Sequence, residues 1–430
     1  MRRALRPRVG IIGIGDIKAE AQKRDYETII NGIKGLDIEV FDKGIKASTE
    51  EIEASVIELL RKGLDAVLLV VLRGMSAQAI KNAVELMDCP AIVWAVKERW
   101  AWPSSALALG ALKEEKKKVK LIYGLGDDKS TLNEFRQRVQ AAFALSRLRH
   151  SRIGTIGSLF PNLVSRSYDK ARIKERIGTE IVEISFDELH QAIGRVSKAV
   201  NAIEDLRKKI QDRFLIEVTD ELLNPGIRLH LALKHIAKSH SLDGFAIECW
   251  SRMPKEVGLN PCLGFIEDDY TLTCEGDVLI SIATQMVRYL TGINPYVGDI
   301  YDLDKENILT LVHCGAPASL AADAKSVIIK DSIQAKEQGF PTPVCHPQLK
   351  NGEVTLLSLY GKKCDYVHLT TGELIKTRRA DKMWVKVRLS GERQEFLEQC
   401  LANHYIVVPG NIIRELELLC EWLAISILRT

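Results

Sequence analysis

The chain has 430 residues, of which 46% are hydrophobic and 27% are charged, and its formal net charge is +3. A chain of this length is too long to fold around one ordinary hydrophobic core, so we expect two or three globular domains. A net charge this small gives no support for a nucleic-acid-binding or membrane-surface protein.

The sequence carries no recognisable targeting or membrane-spanning segment. The basic start Met1–Arg3 is followed by a short apolar strand rather than by the apolar core of a signal peptide. No window approaches the ~18 uninterrupted apolar residues of a transmembrane helix. The nine cysteines form no CxxC pair and no zinc-finger spacing. We therefore expect a cytoplasmic protein with reduced thiols and with neither a membrane nor a nucleic acid as partner.

The first third of the chain alternates short apolar strands with helices. The predicted strands are Val9–Ile14, Ile38–Phe41, Ala66–Val71, Ala91–Val96 and Val119–Tyr123. One of the helices between them opens with the Ser-x-x-Glu pattern of a capping box, from Ser48 to Glu51. Such an alternation predicts a parallel, doubly wound sheet over residues 1–150.

A second α/β unit is predicted over residues 151–295. Its strands are Ile153–Ile156, Glu180–Ile184 and Gly244–Glu248, and a long helix runs from about Asp187 to Ile210. A strongly apolar helix follows Asp277 and ends near Gly292, a residue type typical of helix ends.

The pattern changes at about Tyr296. Short apolar runs separated by turn-like segments predict an antiparallel, β-rich domain over residues 296–430, with a last helix from about Ile412 to Leu428. The predicted fold class is therefore α/β, with two consecutive doubly wound Rossmann-like units followed by a β-rich C-terminal domain with a terminal helix.

Several common catalytic and nucleotide-binding motifs are absent. The glycine-rich start from Gly10 to Gly15 has the spacing GxxGxG instead of the dinucleotide-binding GxGxxG. The chain contains no Walker A, GxSxG or HExxH pattern. Nucleotide-binding, hydrolase and metalloprotease functions are therefore weakly supported.

Potential metal ligands are densest between Glu248 and Asp277. Glu248 ends an apolar strand, where parallel sheets place their sites, and Glu275 and Asp277 come just before an apolar helix. Two carboxylates there either favour the positive end of the helix dipole or converge on Mn²⁺ or Mg²⁺. His313 and His404 offer imidazole nitrogens, although a single histidine at a strand end is more often structural.

These segments resemble the family of fucose and arabinose isomerases with a fucose-isomerase-type C-terminal domain. Leu263–Tyr270 is similar to the arabinose isomerase segment that carries a metal-binding, catalytic glutamate, which the resemblance assigns to Glu267. Cys274–Asp277 is similar to the fucose isomerase stretch whose aspartate binds the metal, so that Asp277 takes this role. The Asn-His-Tyr segment near the C-terminus resembles the one that supplies the histidine ligand, here His404.

The resemblance implies an aldose–ketose isomerase that works through a cis-enediol and depends on Mn²⁺ or on another divalent cation such as Mg²⁺ or Co²⁺. By this resemblance, Glu267, Asp277 and His404 are expected to bind the metal, which would stabilise the enediolate. The resemblance also assigns to Glu267 and Asp277 the transfer of the proton between the two carbons. Relatives build the site between subunits, which implies a homo-oligomer, a trimer or a hexamer.

Three further residues are candidates around this centre. Glu275 is expected to orient the ligands without binding the metal itself, and His313 and Trp250 are expected to contact the sugar. Two alternatives stay open. The first is a non-catalytic carbohydrate-binding protein of the same fold, which needs no stoichiometric metal ion. The second is a metal-dependent lyase that acts on a polyol-like substrate.

Overall fold

The structure is a computed structural model that describes residues 6–97, 99–332, 335–336 and 339–430. The chain divides into two compact units between Arg147 and Leu148. None of the helices in the described ranges combines the length and the apolar character that crossing a bilayer requires.

The first unit is built on a five-stranded parallel sheet. Its strands are β1 (Arg8–Ile14), β2 (Glu39–Lys46), β3 (Ala66–Val71), β4 (Ala91–Ala95) and β5 (Val119–Tyr123), in the order β2-β1-β3-β4-β5. The helices are α1 (Glu20–Lys34), α2 (Thr49–Leu60), α3 (Ala77–Glu85), α4 (Ala101–Glu114) and α5 (Lys129–Arg149). β3 and β4 are buried along their whole length, as central strands of a doubly covered sheet are. The predicted capping box is confirmed, since Ser48 and Glu51 each accept a backbone hydrogen bond from the other.

A second, four-stranded parallel sheet begins the second unit. Its strands are β6 (Arg152–Ile156), β7 (Glu180–Ile184), β9 (Gly244–Ile247) and β10 (Thr271–Thr273), in the order β10-β9-β6-β7. The helices are α6 (Lys170–Arg176), α7 (Phe186–Val196), α8 (Val200–Arg213), α9 (Asp220–Ser239), α10 (Met253–Val257) and α11 (Val278–Thr291), with a 3-10 helix at Pro261–Ile266. The single long helix predicted from Asp187 to Ile210 is therefore two helices, α7 and α8.

The remaining residues form mostly antiparallel sheet. The strands of the larger sheet are β11 (Tyr296–Leu303), β12 (Ile308–His313), β15 (Gly352–Tyr360), β16 (Tyr366–Arg379), β17 (Met383–Leu389), β18 (His404–Pro409) and β19 (Ser426–Arg429). Their order is β15-β18-β11-β12-β17-β16-β19, and an additional pairing of β15 with β16 closes six of them into a barrel. A separate small sheet contains β8 (Leu215–Ile216), β13 (Ile328–Asp331) and β14 (Pro343–His346). Buried side chains such as Tyr296, Leu311, Leu356, Val385 and Val407 form the apolar cluster of the larger sheet.

The predicted class, an α/β chain with two parallel sheets followed by a β-rich region, is confirmed. The described part of that region also contains the helices α12 (Arg393–Gln399) and α13 (Ile413–Leu423). The terminal helix is shorter than the predicted range to Leu428, because Ala424 adopts a left-handed conformation with φ 54°. The residues that follow pair in parallel with β16 as β19, so the described chain ends in a strand.

Candidate functional site

The carboxyl ends of β9 and β10 face strands of the barrel across a pocket. Trp250 follows β9 and Glu275 follows β10, whereas Asp299 lies on β11 and His313 ends β12. The carboxyl edge of a parallel sheet is the usual place for a ligand in an α/β unit. The pocket therefore lies where the topology of the second unit predicts a binding site.

His404, the first residue of β18, places an imidazole between three carboxylates. Its Nδ1 lies 2.8 Å from an Asp277 oxygen, whereas its Nε2 lies 3.7 Å from Glu275 and 3.4 Å from Asp299. The ring is buried, and Nε2 has no hydrogen-bond partner among the described residues. Glu275, Asp299 and His404 each offer one ligand atom, and these three atoms lie within 4.8 Å of one another.

Asp277 holds this histidine in position. One of its oxygens accepts a hydrogen bond from the Ile280 N–H and so caps α11. The other oxygen accepts hydrogen bonds from Arg166, at 2.6 Å, and from His404. Arg166 and Asp277 are fully buried, and Arg166 also donates to the Leu359 carbonyl. Burial opposes ionisation of Asp277, but the charge of Arg166 and the hydrogen bond from His404 hold the pKa of this carboxyl at about 2. A carboxylate that accepts the Nδ1 proton directs Nε2 towards the pocket.

The other two carboxylates differ from Asp277 in their surroundings. Burial raises the pKa of Glu275, and the negative charges of Asp299 and Asp277 add to this effect despite the opposing charge of His404. Burial lowers the pKa of His404, but its hydrogen bond to Asp277 and the surrounding carboxylates reverse this and leave the pKa raised. The site thus concentrates negative charge around an imidazole, an arrangement that a cation stabilises.

The three ligands predicted from the sequence do not meet at one point. Asp277 and His404 are in contact, but Glu267 belongs to a different cluster, with His230 Nε2 at 3.0 Å and Lys234 Nζ at 2.6 Å. This separation arises because Glu267 follows the 3-10 helix and packs against α9. The hydrogen bond from His230 and the charge of Lys234 hold the pKa of Glu267 at about 2 although burial raises it.

The roles of Glu275 and Asp277 in the structure are the reverse of those expected from the sequence. Asp277 orients the histidine, whereas Glu275 faces Nε2 from the pocket side and is the better placed of the two to hold a cation. Asp299, the third member of the group, was not predicted from the sequence. The signal that marks Asp299 is a carboxylate next to Gly298 within strand β11, and the side-chain amide of Asn403 donates a hydrogen bond to this carboxylate at 2.7 Å.

Both residues predicted to contact a sugar line the pocket. Trp250 is half-buried there, and the Nδ1 atom of the buried His313 has no hydrogen-bond partner in the described chain. Burial lowers the pKa of His313, which favours its neutral form. Asn260, with an unpartnered and buried Oδ1, and Lys382 complete the polar lining. These groups can accept and donate several hydrogen bonds to a polar ligand.

No family model matches the chain, and no curated protein matches it. The solved structures that match include solute-binding and sugar-binding proteins of ABC transporters, all at low sequence identity. An ABC transporter solute-binding protein from Burkholderia multivorans shares 12% identity over 68% of this chain and 95% of that chain, with a TM-score of 0.21. A periplasmic sugar-binding protein from Legionella pneumophila shares 13% identity over 67% and 97%, with a TM-score of 0.20. An arabinose-binding protein from Geobacillus stearothermophilus shares 12% identity over 66% and 88%, with a TM-score of 0.19.

These comparisons correct the family expected from the sequence. The prediction of a fucose/arabinose isomerase is wrong, because the matching structures are sugar-binding proteins of ABC transporters. The predictions of an aldose–ketose isomerase, of a manganese enzyme and of a cytoplasmic location are wrong for the same reason, since matched proteins are named as periplasmic and as sugar-binding. The carbohydrate-binding alternative fits the matched proteins better. TM-scores near 0.2 do not transfer the ligands or the location of these proteins to this chain.

Proposed function

We propose that the second unit binds a small carbohydrate in this pocket, through a divalent cation held by Glu275, Asp299 and His404. The observation that carries the proposal is the unpartnered Nε2 atom of the buried His404, which two carboxylates face at 3.7 and 3.4 Å. A buried nitrogen of this kind normally has a hydrogen-bond partner or a metal ion.

The three side chains suit a divalent cation. Two carboxylate oxygens and one imidazole nitrogen form a donor set that first-row divalent metals accept. The side chains of Glu275 and Asp299 are 20% and 33% exposed, so a cation between them is reachable from the pocket. Asp277 supplies the outer hydrogen bond that orients the histidine ligand of a metal.

The rest of the pocket suits a polyhydroxylated ligand. Adjacent hydroxyl groups of a sugar are hard oxygen donors that can occupy the open positions of a cation. Lys382, Asn260 and His313 offer hydrogen bonds to the remaining hydroxyls, and Trp250 offers an apolar ring face.

Calorimetric titration tests the cation first. The wild-type protein is titrated with Mn²⁺, Mg²⁺ and Co²⁺ in separate experiments, alongside Asp299→Asn. We expect saturable binding of at least one ion by the wild type and loss of that binding in Asp299→Asn. Asp302→Asn is the matched control, because Asp302 lies on the same strand but is exposed and outside the pocket. Equal metal binding by Asp299→Asn and the wild type would refute the proposed ligand.

A sugar panel tests the second half of the proposal. Pentoses and 6-deoxyhexoses are titrated into the protein with its cation bound and into the chelator-treated protein. We expect heat of binding for at least one sugar in the first sample and a marked loss of affinity in the second. Absence of binding to every sugar by the metal-loaded protein would overturn the carbohydrate proposal while leaving the cation site intact.

A further inference from the structure

Lys382 is the only lysine or arginine that lines the pocket among the residues the structure describes. It directly precedes β17. Trp384, two residues further along, lies opposite Val312, which itself lies opposite Asp299 on β11. Side chains two residues apart along a strand point to the same face, and so do residues paired across strands. This register therefore brings Lys382 and Asp299 to the same side of the sheet, where both line the pocket.

The ammonium group of Lys382 forms no ion pair with any residue in the described part of the chain. The adjacent carboxylate of Asp381 accepts a hydrogen bond from Trp384 Nε1 at 3.0 Å instead. The charge of Lys382 nevertheless reaches Glu275, whose pKa burial raises and this ammonium lowers. A half-buried ammonium that lacks a counter-ion is unfavourable. Lys382 therefore points to an anion as part of the ligand.

A divalent cation at the proposed site would neutralise the carboxylates around it. Its two positive charges offset Glu275 and Asp299, while Asp277 is already paired with the buried Arg166. A histidine ligand binds a metal in its neutral form. Among the carboxylate, guanidinium and ammonium groups described at this site, Lys382 then keeps an unbalanced positive charge. A ligand with one negative charge matches it.

We propose that the ligand of the pocket is a sugar acid, in which a single carboxylate bridges the bound cation and the Lys382 ammonium. This inference rests on the proposed cation site and names the class of carbohydrate that the site takes. In an aldonate, one carboxylate oxygen and the hydroxyl oxygen on the neighbouring carbon are hard donors that can share one divalent cation. Lys382 offers a compact point charge to the other carboxylate oxygen.

The remaining polar groups of the pocket suit the hydroxyls of such a molecule. Asn260 Oδ1 and His313 Nδ1 are buried and have no hydrogen-bond partner in the described ranges. The amide is uncharged, and burial lowers the pKa of His313 and so favours its neutral ring. These two groups give no preference for an anion, so that preference rests on Lys382. A phosphate ester carries about −1.5 to −2 charges at pH 7, which exceeds what one ammonium offsets.

Calorimetric titration with matched pairs of ligands tests the sugar acid. Each pair is an aldonate and the alditol of the same configuration: L-arabinonate and L-arabinitol, D-gluconate and D-glucitol, D-galactonate and galactitol. The protein is loaded with Mn²⁺, and the free Mn²⁺ concentration is held constant because aldonates also bind metals in solution. We expect at least one aldonate to bind about 10-fold more tightly than its alditol, through its charge-assisted contact with Lys382. Equal affinities within every pair would overturn the inference.

Variants of Lys382 test the residue that selects the anion. We expect Lys382→Met to lose the preference for the aldonate while its affinity for the alditol is unchanged, and Lys382→Arg to keep the preference because it keeps the positive charge. Lys386→Met is the matched control, since Lys386 lies on β17 but is exposed and outside the pocket. Unchanged alditol binding also shows that the variant is folded. A full aldonate preference in Lys382→Met would contradict the role of this lysine.

The same titrations separate failure of this inference from failure of the proposed function. Cation-dependent binding of alditols without any preference for aldonates would leave the carbohydrate site standing and refute only the sugar acid. Equal aldonate affinity after chelator treatment would refute the bridging role of the cation. Tighter binding of D-arabinose 5-phosphate than of every aldonate would assign the anion to a phosphate ester and would also overturn the inference.

Discussion

Asp299 and His404 lie directly opposite each other in the antiparallel pair of β11 and β18. Residues paired in this way point to the same face of a sheet, which explains how the Asp299 carboxylate comes within 3.4 Å of the imidazole Nε2. A slip of one residue in this pair would turn one of the two side chains to the opposite face. The cation site therefore depends on the register of the barrel, which the pairing of six strands into a closed ring helps to fix.

Replacing Asp277 with Asn should weaken both metal binding and stability. The substitution removes the charge that pairs with the buried Arg166, and it replaces one of the two acceptor oxygens that serve the helix cap and His404 by an N–H₂ donor. Loss of such an outer hydrogen bond typically lowers metal affinity about 10–100-fold, and an uncompensated buried charge costs about 3–5 kcal/mol. Calorimetry and urea unfolding measure the two effects. Wild-type metal affinity in Asp277→Asn would contradict the positioning role.

A double substitution should separate stability from metal binding. In Arg166→Met/Asp277→Asn neither charge of the buried pair remains, so we expect the free energy of unfolding to recover by at least half of the loss seen in Asp277→Asn. Metal affinity should stay low, because His404 still lacks its carboxylate. Urea unfolding and metal titration of the same samples give both values. Recovery of metal affinity with stability would mean that Asp277 acts only through folding.

Replacing Glu267 with Gln should reduce stability and leave metal binding unchanged. The pKa of Glu267 is about 2 in the folded protein against 4.5 as the ordinary value. Its contribution is therefore present above pH 4.5 and is lost as the pH falls towards 2. For this partly exposed group we expect a loss of about 2 kcal/mol at pH 7. Urea unfolding at pH 7 and at pH 3 checks this, and the variant should differ less from the wild type at pH 3.

The same variant tests the ligand predicted from the sequence. If Glu267 were a ligand, Glu267→Gln would lose metal binding to the same extent as Asp299→Asn. Because Glu267 is bonded to His230 and Lys234, we expect calorimetry to show wild-type affinity instead.

Protonation of His368 should destabilise the protein in mild acid. Burial lowers the pKa of His368 to about 4, and its ring lies between the hydroxyl groups of Tyr405 and Thr430. As the pH falls from 6.5 to 4, the unfolded chain binds a proton at this ring before the folded protein does. Folding stability should then decrease by up to about 3 kcal/mol.

The variant His368→Gln should show a shallower dependence on pH. Urea unfolding of variant and wild type at pH 7 and pH 4.5 measures the difference. His346, whose pKa burial also lowers to about 4, remains in both proteins and so cancels in the comparison. Identical pH dependence in the two proteins would contradict this account of His368.

Local sequence patterns were sufficient for the five strands of the first parallel sheet, whereas the short strand β10 of the second sheet was not predicted. β3 and β4 are short and wholly apolar, and the capping box at Ser48 fixes the start of α2. These features arise from residues close together in the chain, so periodicity and capping chemistry predict them. The extent of the last helix was not predictable in this way, because the backbone turns at Ala424 and the residues after it pair with a distant strand.

The site was predicted only in part because it depends on long-range contacts. His404 and Asp277 were identified and are in contact, but Asp299 acquires its role only through the pairing of β11 with β18. Neither composition nor spacing reveals that register. The reversed roles of Glu275 and Asp277 have a local cause. The conformation of the turn before α11 decides which of the two carboxylates caps this helix and which faces the pocket.

That turn contains a conformation that side chains seldom adopt. Glu275 has φ 60° and Gly276 has φ 68°, and a non-glycine residue in this region costs about 1–3 kcal/mol. Replacing Glu275 with Gly should therefore relieve backbone strain while it deletes a carboxylate from the pocket. If Glu275→Gly resists denaturation better than the wild type but no longer holds a cation, then the glutamate at position 275 serves binding and not folding.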